Sequence, residues 1–111
     1  MAETYAVKIT AQAEVQMHDI TRYIASELKA PDAALLLLDA LEDAIFSLSN
    51  FPQRVALTEE EPWHSYGIHK MPVKNFLVYF WIDEDHLKVQ VTAVVYGKRD
   101  QVHQLSKMDM Q

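Results

Sequence analysis

Lys70, Lys74, Lys98 and Arg99 flank the apolar runs of one stretch, GIHKMPVKNFLVYFWIDEDHLKVQVTAVVYGKRD, from Gly67 to Asp100, and His69 stands among them. Cations gathered beside a strand supply charge for a phosphate or for a partner's carboxylates. An imidazole with a reference pKa of about 6.5 can accept or donate a proton near neutral pH. The same residue types also have structural uses. Lysines protect exposed sheet edges, the favoured reading for Lys74, and a solvated histidine is commoner than a working one.

Other chemistries fit poorly. The chain has five histidines and no cysteine, which removes thiolate sites and disulfides. His64 and His69 are separated by five positions across an expected loop-to-strand boundary, and no HExxH or comparable ligand spacing occurs, so no metal is expected. Neither a nucleophile elbow nor a glycine-rich phosphate loop is present, and no cofactor is expected. Trp81 lies inside an apolar run and reads as core. Trp63, in PWHSYG, is loop-borne and suits an interface.

The elements that must position these residues are legible from periodicity. YAVKIT, Tyr5–Thr10, alternates as a strand, and Thr10 can cap a following helix. Ala13, Met17, Ile20, Ile24 and Leu28 recur at three and four, predicting an amphipathic helix over Ala11–Lys29. Pro31 and Asp32 suit the first turn of a second helix with the stripe Leu35, Leu38, Leu41, Ile45 and Leu48, widened by Ala34 and Leu37. Ser49-Asn50-Phe51-Pro52 stops it, and the short connection predicts an antiparallel hairpin.

Gln53–Ser65, with the run Glu59-Glu60-Glu61 and Pro62, reads as a surface loop. Tyr66–Val73 is an expected strand, placed at an edge or bulge by Pro72. Phe76–Ile82 is apolar without alternation, as in a central strand covered on both faces. After the turn Asp83-Glu84-Asp85, Leu87–Tyr96 alternates Leu87, Val89, Val91, Ala93 and Val95 against Lys88, Gln90 and Thr92, predicting a half-buried hairpin partner. Beyond Gly97 a short helix followed by a loose tail is expected.

The 111 residues, half of them apolar, are expected to form one domain spanning 1–111 with its core at about 5–105. No apolar run approaches the roughly 18 residues of a membrane span, and the start lacks a basic apolar signal region. A cytoplasmic location and no membrane partner are therefore expected. The net charge of −6 disfavours broad electrostatic binding to nucleic acid, although seven of the ten Lys and Arg residues follow Asn50.

The succession YAVKIT, DITRYIASEL, LEDAIFSLSNFP, GIHKMPVKNFLVYFWID and VVYGKRD resembles the RelE/ParE superfamily of toxins from type II toxin-antitoxin systems. The resemblance covers roughly Tyr5–Leu105. It implies an α+β fold: an N-terminal strand, an antiparallel helix hairpin, then a three-stranded antiparallel meander in one curved sheet. It also implies growth arrest, plasmid stabilisation, and neutralisation by a cognate antitoxin laid over the toxin as an amphipathic helix or extended segment. A homodimer or a toxin-antitoxin hetero-oligomer is the implied assembly.

Two targets occur in that superfamily, and fold alone does not separate them. RelE-type members cleave mRNA on the translating ribosome without metal, which takes a proton acceptor, cations around the phosphate and an acid for the leaving oxygen. Arg99 matches the arginine those toxins carry after the last strand, and Lys70 and Lys74 lie where they place catalytic lysines. His69 and His103 are the proton-transfer candidates if the chain is a nuclease. Phe76 replaces that branch's arginine before LVY, and the tyrosine after its GKR-type motif has no counterpart here. ParE-type members inhibit DNA gyrase and need binding surface instead; NFLVYF is similar to their central strand. The resemblance thus favours gyrase, with Lys70, Lys74, Lys98, Arg99 and Trp63 as residues contacting target or antitoxin. The alternatives are a ribosome-dependent nuclease and a non-toxic binding or regulatory module on the same fold.

Overall fold

The computed structural model describes residues 3–97, 108 and 110. Strand β1 (Ala6–Ile9) leads into helix α1 (Ala11–Arg22), whose first turn is closed where Thr10 Oγ1 accepts the Ala13 N–H at 3.2 Å. One π-helical stretch, Tyr23–Glu27, continues it, and Lys29 at φ 52° ends it. Helix α2 (Pro31–Phe46) starts on its proline and runs back beside α1. Strands β2 (His69–Val73), β3 (Phe76–Asp83) and β4 (Lys88–Tyr96) follow as an antiparallel meander. β1 joins parallel to β4, giving the sheet order β1-β4-β3-β2. This is the α+β architecture expected from the sequence.

Details of the helices differ from the periodic reading. Leu28 is exposed because the π-turn takes more residues per turn than an α-helix and carries it off the stripe on which Ala13 and Met17 are buried. In α2 the buried stripe is Ala34, Leu37, Leu41 and Ile45, while Leu35 is 58% exposed. The expected stripe is therefore buried at Ala34, Leu37, Leu41, Ile45 and Leu48, and Leu35 alone of its residues is exposed. Phe51 takes φ 47° before Pro52, and the Arg54 guanidinium donates to the Asn50 and Phe51 carbonyls at 2.6 and 3.0 Å. That closes the chain after α2 and employs Arg54 structurally.

The sheet carries two separate apolar clusters. On the helix side, Ala13, Met17, Leu37, Leu41 and Ile45 pack on Met71, Val73, Val78, Phe80, Val89, Val91 and Val94. On the second face, Ile68, Leu77, Tyr79, Ala93 and Val95 are covered by Trp63, Trp81, Met108 and Met110. The expected alternation of Leu87–Tyr96 thus holds only in its first half. Phe80 pairs with Val91 and Tyr79 with Ala93, so Thr92 is a bulged residue and the parity of β4 reverses there. Val89 and Val91 face the helices; after the bulge Val94 does, and Ala93 and Val95 point the other way. Gln16 of α1 accepts the Val94 N–H at 2.8 Å beyond the end of β1. Leu87, expected on the strand, lies in the turn at φ 49°.

Candidate functional site

Neighbouring residues of a strand point to opposite faces, and β2 applies this to its two most reactive side chains. His69 lies opposite Phe80 on the helix side, stacks on that ring at 5.0 Å, and its Nδ1 donates to the Val55 carbonyl at 2.7 Å. Lys70 lies opposite Tyr79 and points to the second face. The two residues therefore do not converge.

The strand begins at His69, three residues later than expected, because the preceding segment is organised as a turn. His64 N–H reaches Glu60 O at 2.9 Å, Tyr66 N–H reaches Pro62 O at 3.1 Å, and Gly67 takes φ 82°. Ahead of that turn, Thr58 N–H donates to Ile68 O at 2.8 Å and Lys70 N–H to Ala56 O at 3.1 Å. Ala56–Thr58 thereby covers the outer edge of the first half of β2, leaving Pro72 on the uncovered half, where a missing N–H costs nothing. The expected surface loop is consequently an ordered cover, with Thr58 fully buried and Trp63 packed on the second cluster.

This loop brings an acid onto the lysine. Glu60 Oε1 lies 3.6 Å from Lys70 Nζ, with side-chain exposures of 22% and 26%. The other oxygen, Oε2, accepts the Thr58 hydroxyl at 3.1 Å. Beneath them Tyr79 is fully buried, and burial first, then the Glu60 charge, pushes its phenol up to about 12. Glu61 fixes the turn by accepting from Ser65 N–H and Oγ at 2.9 Å each, bonds that hold its carboxyl below the usual range. Glu60 escaped the sequence reading, although the run Glu59-Glu60-Glu61 ten residues before Lys70 was its visible trace.

Lys74 is exposed in the turn between β2 and β3 at φ 56°. The same turn meets the end of β4, where Gly97 N–H donates to Asn75 O at 2.9 Å. A Cβ on Gly97 would lie 3.2 Å from that oxygen, so glycine permits the close approach. Lys98, Arg99 and His103, together with the expected C-terminal helix, lie outside the described residues. Phe76, at the position of the missing arginine, contacts the Tyr96 ring at 5.5 Å. Among the described residues no group of three His, Asp or Glu side chains could hold a metal ion, and no helix is long and apolar enough to cross a membrane.

The profile of the ParE toxin of type II toxin-antitoxin system, parDE, matches residues 7–101. The chain belongs to the ParE toxin family. Among solved structures it is similar to a chain of the chromosomal ParDE system of P. aeruginosa, at 17% identity over 84% of this chain and 96% of that one, with a TM-score of 0.68. A chain of the Mycobacterium tuberculosis RelBE2 toxin-antitoxin complex is 21% identical over 85% and 92%, with a TM-score of 0.63. A mutant of E. coli RelE in the free state is 9% identical over 91% and 92%, with a TM-score of 0.55. At such identities these likenesses concern the fold. No curated protein sequence matches. Membership of the ParE family accounts for the order of elements from β1 to β4 and identifies the chain as a type II system toxin.

Proposed function

We propose that this ParE-family toxin arrests growth by binding DNA gyrase in the cytoplasm and is neutralised by a cognate antitoxin. The observation that carries the reading is the placement of His69 and Lys70 on opposite faces of β2. Metal-free RNA cleavage requires a proton acceptor and a cation at one phosphate, within hydrogen-bond reach of the same reacting atoms. His69, stacked and bonded on the helix side, is a poor partner for a phosphate held by Lys70. Phe76 adds no charge where the nuclease branch has an arginine. Inhibition by binding needs surface and complementary charge; among the residues we assign to it, Lys74, Lys98 and Arg99 supply charge, and Lys70, paired with Glu60, and Trp63 supply surface.

The antitoxin assignment is supported by family membership and by the fold's likeness to chains of toxin-antitoxin complexes. The test combines purified gyrase supercoiling with ribosome-dependent mRNA cleavage, using the full chain in both. Loss of supercoiling with intact message is expected, and Arg99→Ala should abolish it while leaving the circular dichroism spectrum unchanged. Message cleaved at the ribosome with gyrase unaffected would overturn the reading in favour of a nuclease using Arg99, Lys70 and either His69 or His103. Inactivity in both assays would leave the binding or regulatory module.

A further inference from the structure

The geometry points to Glu60 as a specificity determinant: it neutralises Lys70 and closes the second face of the sheet to phosphodiester polyanions, leaving that face for a protein partner. This deepens the gyrase reading and rests on it. A cation at the mouth of a site attracts phosphate only while its charge is available. Here a carboxylate oxygen lies 3.6 Å from Lys70 Nζ, and both side chains are about three-quarters buried.

A glutamate on a mobile surface would yield to an incoming phosphate, but this one is held at several points. Oε2 accepts from the hydroxyl of Thr58, which is itself fully buried and bonded through its N–H to Ile68 O at 2.8 Å. The Glu60 carbonyl accepts His64 N–H at 2.9 Å, so the turn carries the acid with it. Glu60 Oε1 is buried without a hydrogen-bond donor among the described residues, and Lys70 is the charge that faces it. A phosphate reaching Lys70 would strand that oxygen and stand beside a second carboxylate, with Glu59 and Glu61 adjacent in the chain. The ion pair therefore sums to zero, and the residues adjoining Glu60 in the chain are both acidic. A protein segment can meet this arrangement with a cation for the acids and apolar contact for Trp63, whereas a nucleic-acid strand can stack a base on Trp63 but brings only negative charge to the acids.

The experiment measures fluorescence anisotropy of a labelled single-stranded RNA oligonucleotide with the full wild-type chain, Glu60→Gln and Glu60→Gln/Lys70→Met across a salt series. Glu60→Gln should bind RNA more tightly and steepen the fall of log K with log salt by about 0.7, the value of one added phosphate contact on a single strand. Adding Lys70→Met should return both to wild type. In the otherwise wild-type chain, Lys70→Met should leave the salt slope unchanged because no phosphate contact is lost, which keeps the test alive should Glu60→Gln fail to fold. A folded Glu60→Gln with no gain in RNA affinity, or a Lys70→Met chain whose salt slope is shallower by about 0.7, would overturn the assignment. Gyrase inhibition by the wild-type chain is read in parallel. Retained inhibition beside either overturning result sinks this inference alone, whereas ribosomal cleavage by the wild type sinks the gyrase reading and this inference together.

Discussion

The helix-side face of the sheet is covered by α1 and α2, whose apolar stripes repeat over successive turns of one continuous stretch, Ala11–Phe46. The second face is covered by Trp63 from the loop, Trp81 from β3 itself, and Met108 and Met110 from far along the chain. The first cover consists of closely packed, fully buried aliphatic residues such as Leu41 and Ile45. The second is built of partly buried aromatic and thioether groups around one ion pair. A close-packed aliphatic layer serves stability, while a thinner cover with a polar mouth is the kind of surface on which a partner can act.

The largest expected effect that tests this contrast is Leu41→Ala, which should cost about 2–5 kcal/mol through lost transfer energy and the residual cavity. Trp63→Ala on the second face should cost less, about 1–2 kcal/mol, since the ring is only partly buried. Urea unfolding of both variants at unchanged slope checks the difference, and equal losses would break the comparison. Gln16→Ala should come next, at about 1 kcal/mol, by depriving the Val94 N–H of its acceptor beside the bulge. Hydrogen exchange read at that amide should accelerate more than at Val91.

Two pH dependences sharpen the comparison further. Tyr79 on the second face holds its proton up to about 12 against an ordinary value of 10.0. The folded state binds that proton more tightly than the unfolded chain, so the contribution is whole below pH 10.0 and is lost as pH rises through about 12. Tyr79→Phe should shrink the alkaline fall in stability seen by denaturant titration. At the β3–β4 turn, Glu84 is bonded by Gln53 Nε2 and by the Tyr5 hydroxyl, each at 2.7 Å, and in that order they lower its carboxyl from 4.5. Its contribution is present above pH 4.5 and fades as pH falls through the lower folded value. Gln53→Ala should flatten that acid limb by the smallest amount of the series, because the site is solvent-accessible.

Much of the fold follows from local pattern. The Thr10 cap, the Pro31 start, the two helices, the three-stranded meander and the ending near Gly97 were all legible, since capping and periodicity depend on residues within a few positions of one another. Trp81 was expected in the core, and Trp63 was singled out without the face on which it packs.

Tertiary structure decided the rest. VQVTAVV is apolar enough to satisfy either parity, so the bulge at Thr92 leaves no mark in its composition, yet it assigns Val94 to one face and Val95 to the other. The sequence set His69 beside Lys70 and strand geometry parted them, but which face held the helices was a matter of packing. Lys70 was visible as a charge; that Glu60 neutralises it depended on the path of a turn through Thr58 and Ile68, because an ion pair is made by distance in space and not by distance along the chain.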